Sequence, residues 1–217
     1  MQSFTEENYL KTIYYLATRQ EGEVSTNALA EMTATKAASV TDMLRKLADK
    51  QLIHYKKYQG VRLTDEGERL ALQIIRRHRL WEVFLVEKLG FGWDEVHDIA
   101  EELEHIRSDE LVSRLDAFLG NPKFDPHGDP IPTPAGHMPQ TGYRKLSDVV
   151  AGEGVRLMGV LEHSTEFLQH LDHSQLTLGC LVTVTEINAF DKSVLLQITG
   201  GRPVFVSHEV ARNLLVN

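Results

Sequence analysis

The chain has one cysteine, Cys180, in 217 residues. A single thiol closes no internal disulfide, so the sequence does not read as a stapled extracellular domain, and a reducing cytoplasm is the expected compartment. No apolar run approaches the roughly 20 residues that a membrane helix needs. The first residues lack the basic start and apolar core of a signal peptide. No membrane partner is therefore expected. The short motifs that carry much hydrolytic and nucleotide chemistry are also missing: there is no HExxH run, no glycine-rich phosphate loop and no GxSxG elbow. Proline is nearly absent outside one stretch, where Pro122, Pro126, Pro130, Pro132, Pro134 and Pro139 crowd together and leave only Pro203 elsewhere.

Charge is unevenly spread. The net charge of −8 argues mildly against nucleic acid. Yet residues 36–80 hold 11 Lys or Arg against 5 Asp or Glu, and residues 94–116 hold 9 acidic residues against Arg107 and Arg114. A basic segment followed by an acidic, His-containing one suits a phosphate-binding surface followed by a cation site. Two solvated helix faces of opposite charge would look the same.

The periodicity predicts a first helix over 4–18, with Leu10, Ile13, Leu16 and Ala17 on one face. Ser25 caps a short helix through Leu29 and Met32. Thr33 or Thr35 caps the next, through Val40, Met43, Leu44 and Leu47. Residues 52–63 read as two short strands around a Gly turn. Thr64 starts a long amphipathic helix that Gly90-Phe91-Gly92 ends, and further helices are expected over 94–106 and 108–119. The Pro/Gly-rich stretch that follows is a linker or strap. From Leu146 the pattern turns to β, with strands at 155–160, 180–187, 194–198 and 204–206 and a short helix over 165–171. Several short strands in so few residues suggest a small SH3-like β-barrel.

Helix, turn, helix and β-hairpin in that order make a winged helix. The candidate recognition helix places Lys36, Ser39, Thr41, Asp42 and Arg45 outward, with the small Ala37 and Ala38 at its start, and Val40, Leu44 and Leu47 inward. Small residues at its start let backbone and methyl groups approach the major groove, where Ala can touch a thymine methyl, while Ser39 and Thr41 suit phosphate contacts; Ser25, Thr26 and Thr35 nearby are further candidate DNA-binding residues. Lys56, Lys57 and Arg62 would form a basic wing. Any amphipathic three-helix segment shares part of this pattern; the hairpin with paired lysines favours the DNA reading.

The densest chemistry is His97-Asp98-Ile99-Ala100-Glu101-Glu102-Leu103-Glu104-His105. On a helix, His97, Glu101, Glu104 and His105 share one face. His78 and Glu82 form a second helix-spaced pair. Two helices carrying such pairs can enclose a cation. Nitrogen and oxygen donors with no thiolate beside them suit Mn²⁺ or Fe²⁺ better than copper(I) or a structural zinc site. The same ligands could activate a hydrolytic water, so a metal-dependent hydrolase is one alternative. A metal-independent DNA-binding dimer is another.

Several blocks resemble the diphtheria toxin repressor family of iron- and manganese-dependent repressors. They are Tyr9-Leu10-Lys11-Thr12-Ile13-Tyr14, Arg77-His78-Arg79-Leu80 with Glu82, Val96-His97-Asp98 with Glu104-His105, Ser108-Asp109-Glu110, and Gly128-Asp129-Pro130-Ile131-Pro132. The resemblance spans essentially the whole chain. It implies a mainly α protein with a small β domain: a winged-helix DNA-binding domain over 1–64, a helical dimerisation and metal-binding domain over 65–120, a linker over 121–145 and an SH3-like domain over 146–217. It implies no enzyme and no small organic substrate, but a homodimer that binds a palindromic double-stranded DNA operator of metal-homeostasis genes when metal is present. Two metal sites per subunit are implied. The primary one uses Asn8, Glu101, Glu104 and His105. The ancillary one uses His78, Glu82 and His97, with His163 and Glu166 from the C-terminal domain. Iron-sensing members have Met and Cys where this chain has Asn8 and Glu101, and manganese-sensing members have Asp and Glu. Glu101 thus favours Mn²⁺, with Fe²⁺ as the alternative. One manganese branch has an acid where Lys11 stands here, which argues against a binuclear site of that kind.

Overall fold

The protein is described by a computed structural model that covers residues 2–19, 22–56 and 59–217. Its contacts divide the chain into two compact units. The first holds Met1–Trp81, Ala100–Asp116 and Ile131–Pro139, and the second holds Glu82–Ile99, Ala117–Pro130 and Gln140–Asn217.

The first unit opens with α1 (Phe4–Arg19), α2 (Thr26–Met32) and α3 (Ala37–Asp49). Strands β1 (Ile53–Lys56) and β2 (Gly60–Leu63) form an antiparallel hairpin in which His54 faces Arg62. Val24 pairs with Val61 on the hairpin, so the turn before α2 is tied to the wing. Ser25 caps α2 as expected, accepting a hydrogen bond from the Ala28 N–H at 3.1 Å. The apolar stripe of α3 is buried at Val40, Leu44 and Leu47, in one cluster with Leu10, Ile13, Leu29, Ile53 and Val61. This is a winged helix-turn-helix.

Thr64 caps the long helix α4 (Asp65–Leu89), its Oγ1 accepting from the Gly67 N–H at 3.1 Å. Gly67 is needed for a packing reason: a Cβ there would stand 1.9 Å from the Leu52 carbonyl oxygen. Gly90, at φ +75°, follows the last turn. Next come α5 (Val96–Leu103) and α6 (Asp109–Phe118), both shorter than the 94–106 and 108–119 expected from pattern.

The second unit carries β3 (Arg144–Lys145), β4 (Gly154–Val160), α7 (Thr165–His173), β5 (Leu181–Ile187), β6 (Val194–Ile198), β7 (Pro203–Val206), α8 (His208–Asn213) and β8 (Leu214–Val216). The strands make one antiparallel sheet in the order β3-β8-β4-β5-β6-β7. The sheet is not closed into a ring by hydrogen bonds, and the domain is of the SH3-like kind. Alternate residues point inward, as at Val194, Leu196 and Ile198 of β6.

The Pro/Gly-rich stretch is ordered. Over 124–130 it makes a tight loop in which Phe124 pairs with Pro130. The Asp125 carboxylate accepts from the N–H groups of His127 at 2.8 Å and Asp129 at 3.0 Å. Val160 donates its N–H to the His127 carbonyl at 3.0 Å, fixing the loop to β4. Gly128, at φ +87°, lies so close to β4 that a Cβ would come within 2.1 Å of the Met158 carbonyl oxygen.

Candidate metal centres and nucleic-acid interface

On the reading head, Lys36, Ala37, Ala38, Ser39, Asp42 and Arg45 are exposed, and Thr41 is partly so. Arg45 is tethered to Asp42 at 3.2 Å, one helical turn back. Ser25 and Thr26 lie in a polar cleft with Thr41, Tyr55 and Gly60, which brings the start of α2, α3 and the hairpin together. Thr35 exchanges hydrogen bonds with Tyr9 at 3.1 Å and Thr33 at 2.8 Å, so its hydroxyl is engaged within the fold. Lys56 and Arg62 are exposed on the hairpin, and Lys57 lies outside the described residues.

The first acidic cluster sits where α1 meets residues 101–107, wholly within the first unit. Glu104 is fully buried, and its carboxylate receives the Lys11 ammonium at 2.7 and 2.8 Å. The same ammonium reaches Glu101 at 3.1 Å. His78 Nδ1 approaches the other side of Glu104 at 2.7 Å. Burial pushes the Glu104 carboxyl up, but the His78 hydrogen bond and the Lys11 charge outweigh it and hold the group below its ordinary range. His105 Nδ1 lies 2.6 Å from Glu7, and Arg107 donates to the same carboxylate at 3.0 Å. Phe4 stacks on the His105 ring at 4.4 Å. The structure thus brings Glu101, Glu104 and His105 to α1. The α1 side chains bonded to them are Lys11 and Glu7, while Asn8 is exposed. Nothing in the spacing singles out Glu7, which precedes Asn8 and carries no motif.

A second cluster lies in the second unit. Donor atoms of Glu82, Asp125 and His127 stand within 4.8 Å of one another, and all three residues are buried. His97 Nδ1 is 3.5 Å from Glu82, and His163 stacks on His127 at 4.6 Å between ring centroids. His163 Nε2 also lies 3.9 Å from Asp129. Glu166 is exposed on the first turn of α7, and His78 belongs to the first unit.

The geometry at His127 fits a cation. Its Nε2 lies 2.7 Å from the Trp93 carbonyl and must donate there. In the neutral ring the lone pair is therefore on Nδ1, which is buried, has no hydrogen-bond partner among the described residues, and stands 3.7 Å from Glu82. Without a metal, burial lowers the His127 pKa, but the nearby Glu82 carboxylate, with Asp125, overcomes this and pushes it up to about 9. Burial and the neighbouring His127 charge push His163 the other way, down. Asp125 and His127 escaped the sequence reading. The available signal was an Asp and a His two residues apart in a Pro/Gly loop.

Two family models match this chain. Residues 1–61 match the N-terminal DNA-binding domain of iron-dependent repressors, and residues 64–133 match their metal-binding and dimerisation domain. The iron-dependent repressor IdeR of Mycobacterium tuberculosis is 33% identical over 173 residues, covering 76% of this chain and 74% of the relative. The diphtheria toxin repressor of Corynebacterium glutamicum is 31% identical over 192 residues, covering 83% of each. Among solved structures, a manganese-dependent transcriptional repressor in complex with manganese superposes with a TM-score of 0.88 at 36% identity, over 97% of this chain and 98% of that one. ScaR with bound Cd²⁺ gives 0.80 at 31% identity, over 98% of each chain. These are transcriptional repressors and not enzymes, so the hydrolase alternative falls. With the winged helix-turn-helix, both family domains and relatives of this identity, the chain belongs to the iron-dependent repressor family, as a metal-dependent, DNA-binding transcriptional repressor.

Proposed function

We propose that this repressor senses Mn²⁺, with Fe²⁺ as the alternative, through two sites per subunit, and as a homodimer binds a palindromic double-stranded operator of metal-homeostasis genes. The observation that carries the metal choice is the buried set Glu82, Asp125 and His127: hard oxygen and nitrogen donors with no sulfur among them. Glu101, where iron-sensing members of the family carry Cys, adds to it. The first site would use Glu101, Glu104 and His105, with Asn8 as a neutral oxygen donor. The second would use Glu82, His97 and His163 together with Asp125 and His127. It would also use His78 and Glu166, the remaining members of the set that the resemblance implies.

Metal held between α1 and residues 101–105 would set the angle of the reading head and so favour one dimer geometry. Lys36, Ala38 and Asp42 would select bases, and Ser25, Thr26, Thr35, Ala37, Ser39, Thr41 and Arg45 would line the groove and backbone. Lys56, Lys57 and Arg62 would neutralise phosphates. The four-part division at 64, 120 and 145 is proposed as the functional one: reading head, dimerisation helices, strap and SH3-like module. Exposed Leu89, Phe91 and Phe118 are candidates for a subunit interface. A two-fold dimer reads two half-sites, hence the palindrome. A repressor would work where its operator lies, in the cytoplasm.

The test is selection of operators from a randomised double-stranded library in the presence of Mn²⁺, followed by fluorescence anisotropy with Mn²⁺, Fe²⁺ or EDTA. Tight binding with Mn²⁺ that EDTA reverses is expected. Equal affinity with EDTA would refute metal control by these sites.

A further inference from the structure

Resting on the reading of Glu101 and Glu104 as metal ligands, we propose that the Lys11 ammonium is a built-in cation of this site. A divalent ion enters by displacing it. Lys11 is only 7% exposed. Its Nζ faces both oxygens of Glu104 at 2.7 and 2.8 Å and one oxygen of Glu101 at 3.1 Å. The Glu104 Oε2 is shared with His78 Nδ1 at 2.7 Å. Both faces of this buried carboxylate are therefore filled. A metal needs bonds of roughly 2.0–2.2 Å to such oxygens, and an ammonium at hydrogen-bond distance from the same atoms leaves no place for it. Two like charges around one buried carboxylate also repel strongly where the dielectric is low.

The displacement is physically simple. Lysine is a compact point charge on a flexible four-carbon stem, so its ammonium can swing out to water without moving α1. The exposed Asn8 lies one turn earlier on the same helix. In the metal-free chain, Lys11 thus holds α1 against residues 101–104 with a single charge. The divalent ion does the same with two charges and with directional bonds. Lys11 sets the metal concentration at which the change occurs, because the ion must compete with a tethered cation that is always present.

Two measurements test this. In the first, Mn²⁺ affinity is read by electron paramagnetic resonance for the natural chain, Lys11→Met, Lys11→Arg and Glu104→Gln. Lys11→Met keeps the aliphatic stem and removes the charge. It should raise affinity at the Glu104-dependent site at least tenfold, while Lys11→Arg stays close to the natural value. In the second, the natural chain is treated with acetic anhydride during a Mn²⁺ titration and the Lys11 peptide is followed by mass spectrometry. Lys11 should be protected without metal and should become acylated in step with filling of the site. Unchanged affinity in Lys11→Met, or protection that persists at saturation, would overturn the displacement while leaving the metal site in place. If Glu104→Gln loses no Mn²⁺ at all, the assignment of the first site fails and the displacement falls with it.

Discussion

Glu6 and Glu7 are neighbours on α1 and hold different parts of the first unit. Glu6 binds Lys50 at 2.8 Å and Lys46 at 3.1 Å, both at the end of α3, the candidate recognition helix. Glu7 binds His105 at 2.6 Å and Arg107 at 3.0 Å. Consecutive helix residues point about 100° apart, so one short segment of α1 ties the reading head to the residues proposed to take up metal. A rotation of α1 cannot change one grip without disturbing the other.

The Glu6 grip makes the reading head acid-sensitive. Burial raises the Glu6 pKa, but hydrogen bonds from Lys50, the Ser3 backbone and Lys46 lower it further, to about 2. A depressed carboxyl contributes stability that is present above its unfolded pKa of 4.5 and lost as pH falls through about 2. Both lysines reach water, which reduces the contribution to about 1–2 kcal/mol. Glu6→Gln should lose that amount at pH 7, with a shallower decline between pH 4.5 and 2. Thermal melts of both proteins across this range measure it.

His127 gives the opposite sign. Its folded pKa, about 9, is above the ordinary 6.5. In the metal-free protein its contribution is full below pH 6.5 and is lost as pH rises through 9. The shift corresponds to roughly 3 kcal/mol as an upper bound. Metal at Nδ1 must displace this proton, so Mn²⁺ affinity at the second cluster should rise close to tenfold per pH unit between 7 and 8.5. Calorimetric titrations in buffers of different ionisation enthalpy should show proton release on binding. His127→Ala should abolish both the release and the pH slope.

Glu104→Ala and Glu104→Gln should separate stability from sensing. Alanine leaves the Lys11 ammonium buried without its main partner, a change that typically costs about 3–5 kcal/mol. Glutamine keeps an oxygen acceptor for Lys11 and fills the same volume. Urea unfolding should place Glu104→Gln within about 2 kcal/mol of the natural chain and Glu104→Ala well below it. Both should lose Mn²⁺-dependent operator binding. A Glu104→Gln protein that still needs Mn²⁺ for tight binding would refute the first site.

The hairpin should supply affinity without selectivity. Lys56→Gln or Arg62→Gln should each weaken binding to every DNA sequence and lower the slope of log affinity against log salt by about one unit. Lys36→Ala and Asp42→Ala should instead change which operator is preferred. A hairpin substitution that alters preference at constant salt slope would reverse these roles.

Local signals were legible wherever a local cause acts. The stripe Val40, Leu44 and Leu47 is a period within one helix, and the caps Ser25 and Thr64 and the stop at Gly90 act within a few residues. Strand β8 and helix α8 were not read. Three residues of β8 carry no period of their own, and they are set by pairing with β3 and β4. The acidic face of residues 97–105 was visible as a helix face. Its partners on α1 were not, since Lys11 meets Glu104 across 93 residues of sequence. Asp125 and His127 were hidden because a proline-rich strap reads as linker, and the order in this loop comes from β4.

The fit of Gly128 against Met158 imposes an order on synthesis. The loop bearing Asp125 and His127 leaves the ribosome before β4, yet in the folded chain it is anchored on β4, through the Val160 N–H and a gap too small for any side chain at 128. A nascent chain ending before residue 160 therefore carries Asp125 and His127 without the strand on which their loop is anchored. If the second cluster takes up metal as proposed, its occupancy would report that β4 has been made. A chain released before β4 would lack that report.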